Sequence, residues 1–126
     1  MARLDGKVAI ITGASSGIGE AAARRFAAEG ARLVLAARRP AELERVADDL
    51  GGDAVFLAGD VRDEAYAEAL VALAVDRFGG LDIAFNNAGA VGASGPLPGL
   101  CAEDWDWAIA TNLTAAFYGA KHQAAA

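Results

Sequence analysis

Residues able to do chemistry sit in a few short stretches of this chain. "TGASSGIG", Thr12–Gly19, brings three glycines and two serines together in one turn. Gly13 can take backbone angles closed to other residues. Gly17 lets a backbone approach a ligand closely, and Gly19 lets two elements pack tightly. Ser15 and Ser16 add hydroxyl donors, with Ile18 between the last two glycines. Where such a turn opens a helix, free N–H groups and a partial positive charge meet phosphate oxygens. The Gly-Lys-Ser/Thr ending of an ATPase loop is missing, which excludes a P-loop. A second chemistry is suggested near the C-terminus by Tyr118 and Lys121 in "FYGAKHQAAA". A phenol titrating near 10 needs a close cation to move protons near neutral pH. His122 has no metal-ligand companions in the sequence, and no Cys/His/Asp cluster suggests a metal site.

The elements that must position these residues alternate along the chain. Val8–Thr12 is apolar and β-branched and reads as a strand buried on both faces. Gly17–Glu29 reads as a helix stopped by Gly30, and Arg32–Ala37 as a second strand. The next helix starts near Pro40, which suits a first turn. Its Leu43, Val46, Ala47 and Leu50 form one apolar stripe, and Gly51-Gly52 ends it. Ala54–Ala58 is a third strand. Asp63 and Glu64 favour the start of a third helix, which runs to about Phe78. Leu81–Phe85 is a fourth strand, and residues 90–100 are a Gly/Pro-rich loop. From Ala102 onward one long helix is expected. Trp105, Ile109, Asn112, Leu113, Ala116 and Ala120 share a face that Trp107, Thr114, Phe117 and Tyr118 widen. So broad an apolar surface predicts cover by more than one neighbour. This alternation predicts an α/β fold, a Rossmann-type doubly wound parallel sheet with strand order 3-2-1-4. The glycine turn then lies between the first strand and the first helix, where a phosphate-binding turn belongs.

Composition bounds the function. The chain has 126 residues, 55% apolar and 22% charged, and one domain or part of one fits that length. Eleven basic against seventeen acidic residues give −6, with no basic block, so nucleic acid is not an expected partner. No apolar stretch approaches the roughly 18 residues of a membrane span. No signal-peptide pattern is present. Cys101 is the only cysteine and cannot form an internal disulfide; it reads as a small, semi-buried residue, and a reduced cytoplasmic setting is expected.

"TGASSGIG" followed by "GDV" at Gly59–Val61, "NNAG" at Asn86–Gly89 and "TNL" at Thr111–Leu113 resembles the short-chain dehydrogenase/reductase family. The likeness covers the whole chain, in order. A methyltransferase with a similar turn would explain none of the last three motifs. The resemblance implies an oxidoreductase that interconverts a carbonyl and an alcohol by hydride transfer to or from a nicotinamide dinucleotide. It implies that the Asp60 carboxylate accepts from the adenine amino group and that the Val61 backbone reads the ring edge. Asn87, Ala88 and Gly89 follow the fourth strand at the topological switch point, where ligands bind in such sheets. Asn87 is expected to fasten this loop and contact a ribose, and Gly89 to keep the backbone low against the cofactor. Asn112 matches the family's asparagine that supports a water-linked proton relay. The bland alternative is a satisfied polar group in an interface helix.

Cofactor choice turns on the end of the second strand. NAD-binding turns place an Asp or Glu there, roughly 20 residues past the glycines. Ala37 occupies that place, followed by Arg38 and Arg39. Arg38 offers planar, always-charged donors for a 2′-phosphate, which predicts NADP(H) over NAD(H). The family's Ser and Tyr-x-x-x-Lys have no match here. Tyr66 has Glu64 and Glu68 beside it. Tyr118 and Lys121 are spaced Tyr-x-x-Lys, one helix too early, and read as a half-buried tyrosine and a surface lysine. Residues 1–126 are therefore expected to be the N-terminal, cofactor-binding part of one larger domain, cut before a fifth strand. The expected partners are a small carbonyl or alcohol substrate and further copies of the chain, joined through the helix 102–122. The alternative is a non-catalytic dinucleotide-binding or interaction module on the same fold.

Overall fold

A computed structural model describes residues 2–126. Four parallel strands form one sheet in the order β3-β2-β1-β4, as the alternation predicts. They are β1 (Val8–Thr12), β2 (Arg32–Ala37), β3 (Ala54–Ala58) and β4 (Ile83–Phe85). Helices α1 (Gly17–Ala28), α2 (Pro40–Leu50) and α3 (Glu64–Phe78) follow the first three strands. After β4 and a loop carrying one 3-10 turn at Leu97–Gly99 come α4 (Ala102–Ile109) and α5 (Ala115–Gln123).

Side-chain alternation along the strands divides the core into two layers. Ala9, Ile11, Leu33 and Leu35 meet Ala23 of α1 and Leu43 and Val46 of α2. Val8, Ile10, Val34 and Ala36 meet Tyr66, Leu70 and Ala74 of α3. Every residue of β1 is buried, which is why that segment carries no polar face. Thr12 pairs with Ala36 and Ile11 with Phe85, so the C-terminal ends of the strands come level along one edge of the sheet.

Two expectations about elements need correction. The fourth strand begins at Ile83, not Leu81. Asp82 ends the ladder itself: its N–H donates to the Val8 carbonyl at 2.9 Å, while its carboxylate accepts from the Val8 N–H at 3.0 Å. The helix from Ala102 is not one regular helix. A π-helical turn, Ala110–Thr114, separates α4 from α5, and it rotates the face expected from a constant period. Gly119 is the buried position of α5, while Leu113 in the π turn and Ala120 in α5 are exposed, and α5 lies against α3. Trp105, Leu113 and Phe117 stand 60–69% exposed, so the broad apolar face is covered on one side only. Among the described residues no helix is long and apolar enough to cross a membrane.

Candidate active-site cleft

Loops leaving the ends of β1, β2, β3 and β4 converge on a cleft of about 370 Å³. It is lined by Gly13, Ser15, Ser16 and Ile18 from the first loop, Arg38 and Arg39 from the second, and Asp60, Val61 and Arg62 from the third. Asn87, Ala88 and Gly89 close it from the fourth, with Trp107 and Thr111 reaching in from the α4 side. The sequence-derived candidates are thus gathered around one space. Gly17 and Gly19 support it from the first turn of α1, and Asn112 supports it from outside.

The glycine turn is fixed by contact. A Cβ on Gly19 would overlap the Gly13 carbonyl oxygen, because α1 starts directly against the turn. A Cβ on Gly13 would come within 3.0 Å of Asn87 Nδ2. Gly17 differs: nothing lies within 4 Å of its added Cβ, and its φ of +55° is what demands glycine. Ser16 precedes α1 without a side-chain cap, which leaves first-turn N–H groups without that partner.

Thr12 ties the two central loops together. Its Oγ1 accepts from the Ala88 N–H at 2.9 Å, and its carbonyl accepts from Asn87 Nδ2 at 3.2 Å. Asn87 therefore fastens the loop, as its place in the sequence suggests. The sequence marks Thr12 as the end of a strand and the first residue of the glycine motif, but not as a tie to the loop after β4. Asn112 is equally committed. Its Oδ1 accepts from the Ala90 N–H at 2.9 Å, and its Nδ2 donates to the carbonyls of Ala90 (2.8 Å) and Ala108 (3.0 Å). A Cβ on Gly89 would come within 2.7 Å of that same Oδ1. The Asn112 amide is a clamp on the loop after β4, and Gly89 leaves room for it.

Charge concentrates at one end of the cleft. Asp60 accepts from the backbone N–H and the guanidinium of Arg62, the shortest contact being 2.6 Å. The Arg62 side chain holds the Asp60 carboxyl below its ordinary 3.8, with its backbone N–H and the Arg38 charge acting in the same sense. Arg39 pairs with Glu42 at 3.2 Å. Arg38 is exposed and has no ion-pair partner among the described residues. Sequence reasoning passed over Arg62, although Asp-x-Arg after a strand is a readable ion-pair signal. Thr111 was seen only as part of a motif; its Oγ1 is buried with no hydrogen-bond partner.

Neither Tyr66 nor Tyr118 is among the residues that line the cleft. The Tyr66 hydroxyl donates to the Leu57 carbonyl, and burial raises its pKa further above 10. Lys121 pairs with Glu64 at 2.6 Å, not with Tyr118. Cys101 is exposed rather than semi-buried, because it opens α4, where its thiol lies 3.1 Å from Asp104. No group of three or more potential metal ligands occurs among the described residues.

The cleft's architecture has known counterparts. The family model for short chain dehydrogenases matches residues 7–126. A 3beta-hydroxysteroid dehydrogenase of Mediterraneibacter gnavus is 39% identical over 98% of this chain and 46% of its own length. A 2,5-dichloro-2,5-cyclohexadiene-1,4-diol dehydrogenase of Sphingobium indicum is 42% identical over 94% of this chain and 48% of its own length. The crystal structure of a short-chain dehydrogenase/reductase from Burkholderia phymatum in complex with NAD superposes with a TM-score of 0.92. It is 40% identical and covers 99% of this chain and 45% of that one. The chain thus spans about half the length of the curated relatives it matches. With the glycine turn, the sheet order and the family match in agreement, the chain belongs to the short-chain dehydrogenase family.

Proposed function

We propose that the protein is an NADP(H)-dependent oxidoreductase that interconverts a small carbonyl and an alcohol, and that residues 1–126 are its cofactor-binding part. The carrying observation is the cleft itself, with an uncapped helix start at one end and an unpaired arginine at the other. These residues fit a dinucleotide. The first turn of α1 has free N–H groups for a pyrophosphate. Gly17 leaves open space above it, and Thr111, whose hydroxyl has no partner, lines the same cleft from the α4 side. When bound, the nicotinamide supplies the hydride donor or acceptor.

Gly13, Ser15, Ser16, Gly17, Ile18 and Gly19 hold the phosphates. Asp60 and Val61 hold the base. Asn87, Ala88 and Gly89 line the ribose side, and Asn112 keeps that loop in place. Asn112 therefore supports the chemistry by positioning, since both its amide N–H groups and one acceptor position are already engaged by the backbone. The proton step belongs to a Ser and a Tyr-x-x-x-Lys that the whole protein carries after residue 126. There the sheet continues beside β4 within one larger domain, and copies associate through the helix 102–122 in the cytoplasm.

The solved relative holds NAD; the choice of NADP(H) for this chain rests on Arg38. Equilibrium binding of NADPH and NADH to the intact protein tests it. NADPH is expected to bind more tightly, and Arg38→Asp is expected to invert the order. An unchanged ratio of dissociation constants would refute the role of Arg38. A whole protein without the Ser and Tyr-x-x-x-Lys would instead favour a non-catalytic dinucleotide-binding module.

A further inference from the structure

The charged end of the cleft holds three arginines in three different states. Arg39 is tied to Glu42. Arg38 is unpaired among the described residues. Arg62 is locked onto Asp60 by four contacts. Oδ1 accepts from its backbone N–H at 2.9 Å and from Nε at 3.1 Å, and Oδ2 from Nε at 3.0 Å and Nη2 at 2.6 Å. The Nε–H is shared between the two oxygens, so three N–H groups of Arg62 take up most of the roughly four acceptor positions of the Asp60 carboxylate and leave one for the base.

The charges at this end then add up simply. The Arg39–Glu42 and Arg62–Asp60 pairs each sum to zero, and Arg38 supplies the one net positive charge of these groups. Asp60 and Arg38 line the same cleft, and the Arg38 charge acts on the Asp60 carboxyl. An Asp60 without its partner would therefore oppose Arg38 at the place where a second phosphate must be drawn in.

We propose that Arg62 is a specificity-determining positioning residue: it neutralises Asp60, so that Arg38 acts on a ribose 2′-phosphate without an opposing carboxylate. The proposal rests on reading the cleft as a nicotinamide dinucleotide site. Arg62 need not touch the phosphate. It acts through Asp60, by removing a negative charge from the rim.

Binding of NADPH and NADH is measured by calorimetry on the intact protein and on Arg62→Ala, Asp60→Asn and the double variant. Arg62→Ala uncovers a negative charge and is expected to lower the preference for NADPH roughly three- to tenfold, the scale of a single screened surface charge acting on a phosphate. Asp60→Asn uncovers a positive charge and is expected to raise that preference. Any contact it loses to the base affects both dinucleotides alike and cancels in the ratio. The double variant restores the balance and is expected to return to the starting ratio. Both single shifts shrink as salt is raised from about 0.05 M to about 0.5 M.

Shifts of opposite sign cannot come from a loss of folding. Single variants that move the ratio the same way, or leave it within about twofold, would overturn the proposal, as would a double variant that stays with Arg62→Ala. A starting protein that prefers NADH would refute the NADP(H) reading alone, since the opposite shifts are still expected. Binding of neither dinucleotide would remove both.

Discussion

At the scale of single residues, Gly17 and Gly19 require glycine for different reasons, and the same added methyl separates them. At Gly19 the Cβ would overlap the carbonyl oxygen of Gly13, so turn and helix must move apart. Overpacking of this kind costs about 1–3 kcal/mol. Gly19→Ala is expected to lower stability by about that amount in urea unfolding and to weaken dinucleotide binding. Gly17→Ala meets no atom and loses only the left-handed backbone preference, about 1–2 kcal/mol. Asn112 offers a sharper comparison, because its amide accepts once and donates twice. Asn112→Ala forfeits three bonds that solvent partly replaces, a loss of about 1–2 kcal/mol. Asn112→Asp keeps the acceptor but turns a carboxylate oxygen toward the carbonyls of Ala90 and Ala108. It is therefore expected to be the less stable variant in thermal unfolding. An Asp variant as stable as the Asn protein would show that the clamp does not hold the loop.

At the scale of elements, α5 reaches α3 through one carboxylate. Glu64 Oε2 accepts from Lys121 Nζ at 2.6 Å and lies 2.9 Å from His122 Nε2. On the other side of α5, Asn86 and Gln123 exchange a pair of amide bonds at 2.8 and 2.9 Å, with Gly119 leaving the space they need. Together these hold α5 against α3 and the end of β4. The Lys121 bond, with the His122 contact second, places the Glu64 carboxyl below its ordinary 4.5, and Glu64 in turn raises Lys121 above 10.5. The signs are opposite. A depressed carboxyl contributes stability above its unfolded pKa and loses it as pH falls through the folded value. A raised lysine contributes below its unfolded pKa and loses it as pH rises through the folded value. The contact is therefore at full strength between about pH 4.5 and 10.5 and weakens on both sides. Unfolding temperatures followed with pH are expected to fall less steeply below pH 4.5 in Glu64→Gln than in the unchanged protein. Parallel acid limbs would mean that the ion pair does not link the helices.

At the scale of the whole molecule, what the sequence revealed and what it concealed follow from how far apart the partners lie. The sheet was readable because β1 and β2 are continuous apolar runs, and the cleft because its glycines sit in one turn. The start of β4 was not, since it depends on Asp82 bonding to Val8, 74 residues away. The clamp on Ala90 joins residues 22 apart, and no local pattern announces it. The π-helical turn was hidden because Ala110–Thr114 continues an ordinary helical period. That turn decides which face α5 leaves open: Trp105, Leu113 and Phe117 remain uncovered. Separately, β4, only three residues long, forms one edge of the sheet. An apolar helix face and an unpaired parallel edge together favour association. Residues 1–126 produced alone are expected to self-associate as concentration rises, and Phe117→Lys with Leu113→Lys is expected to reduce this. Both positions point away from the core, so folding measured by circular dichroism should persist. Light scattering that finds a monomer at every concentration would mean that this face does not drive assembly. A double variant that associates as before would shift the cause to the β4 edge.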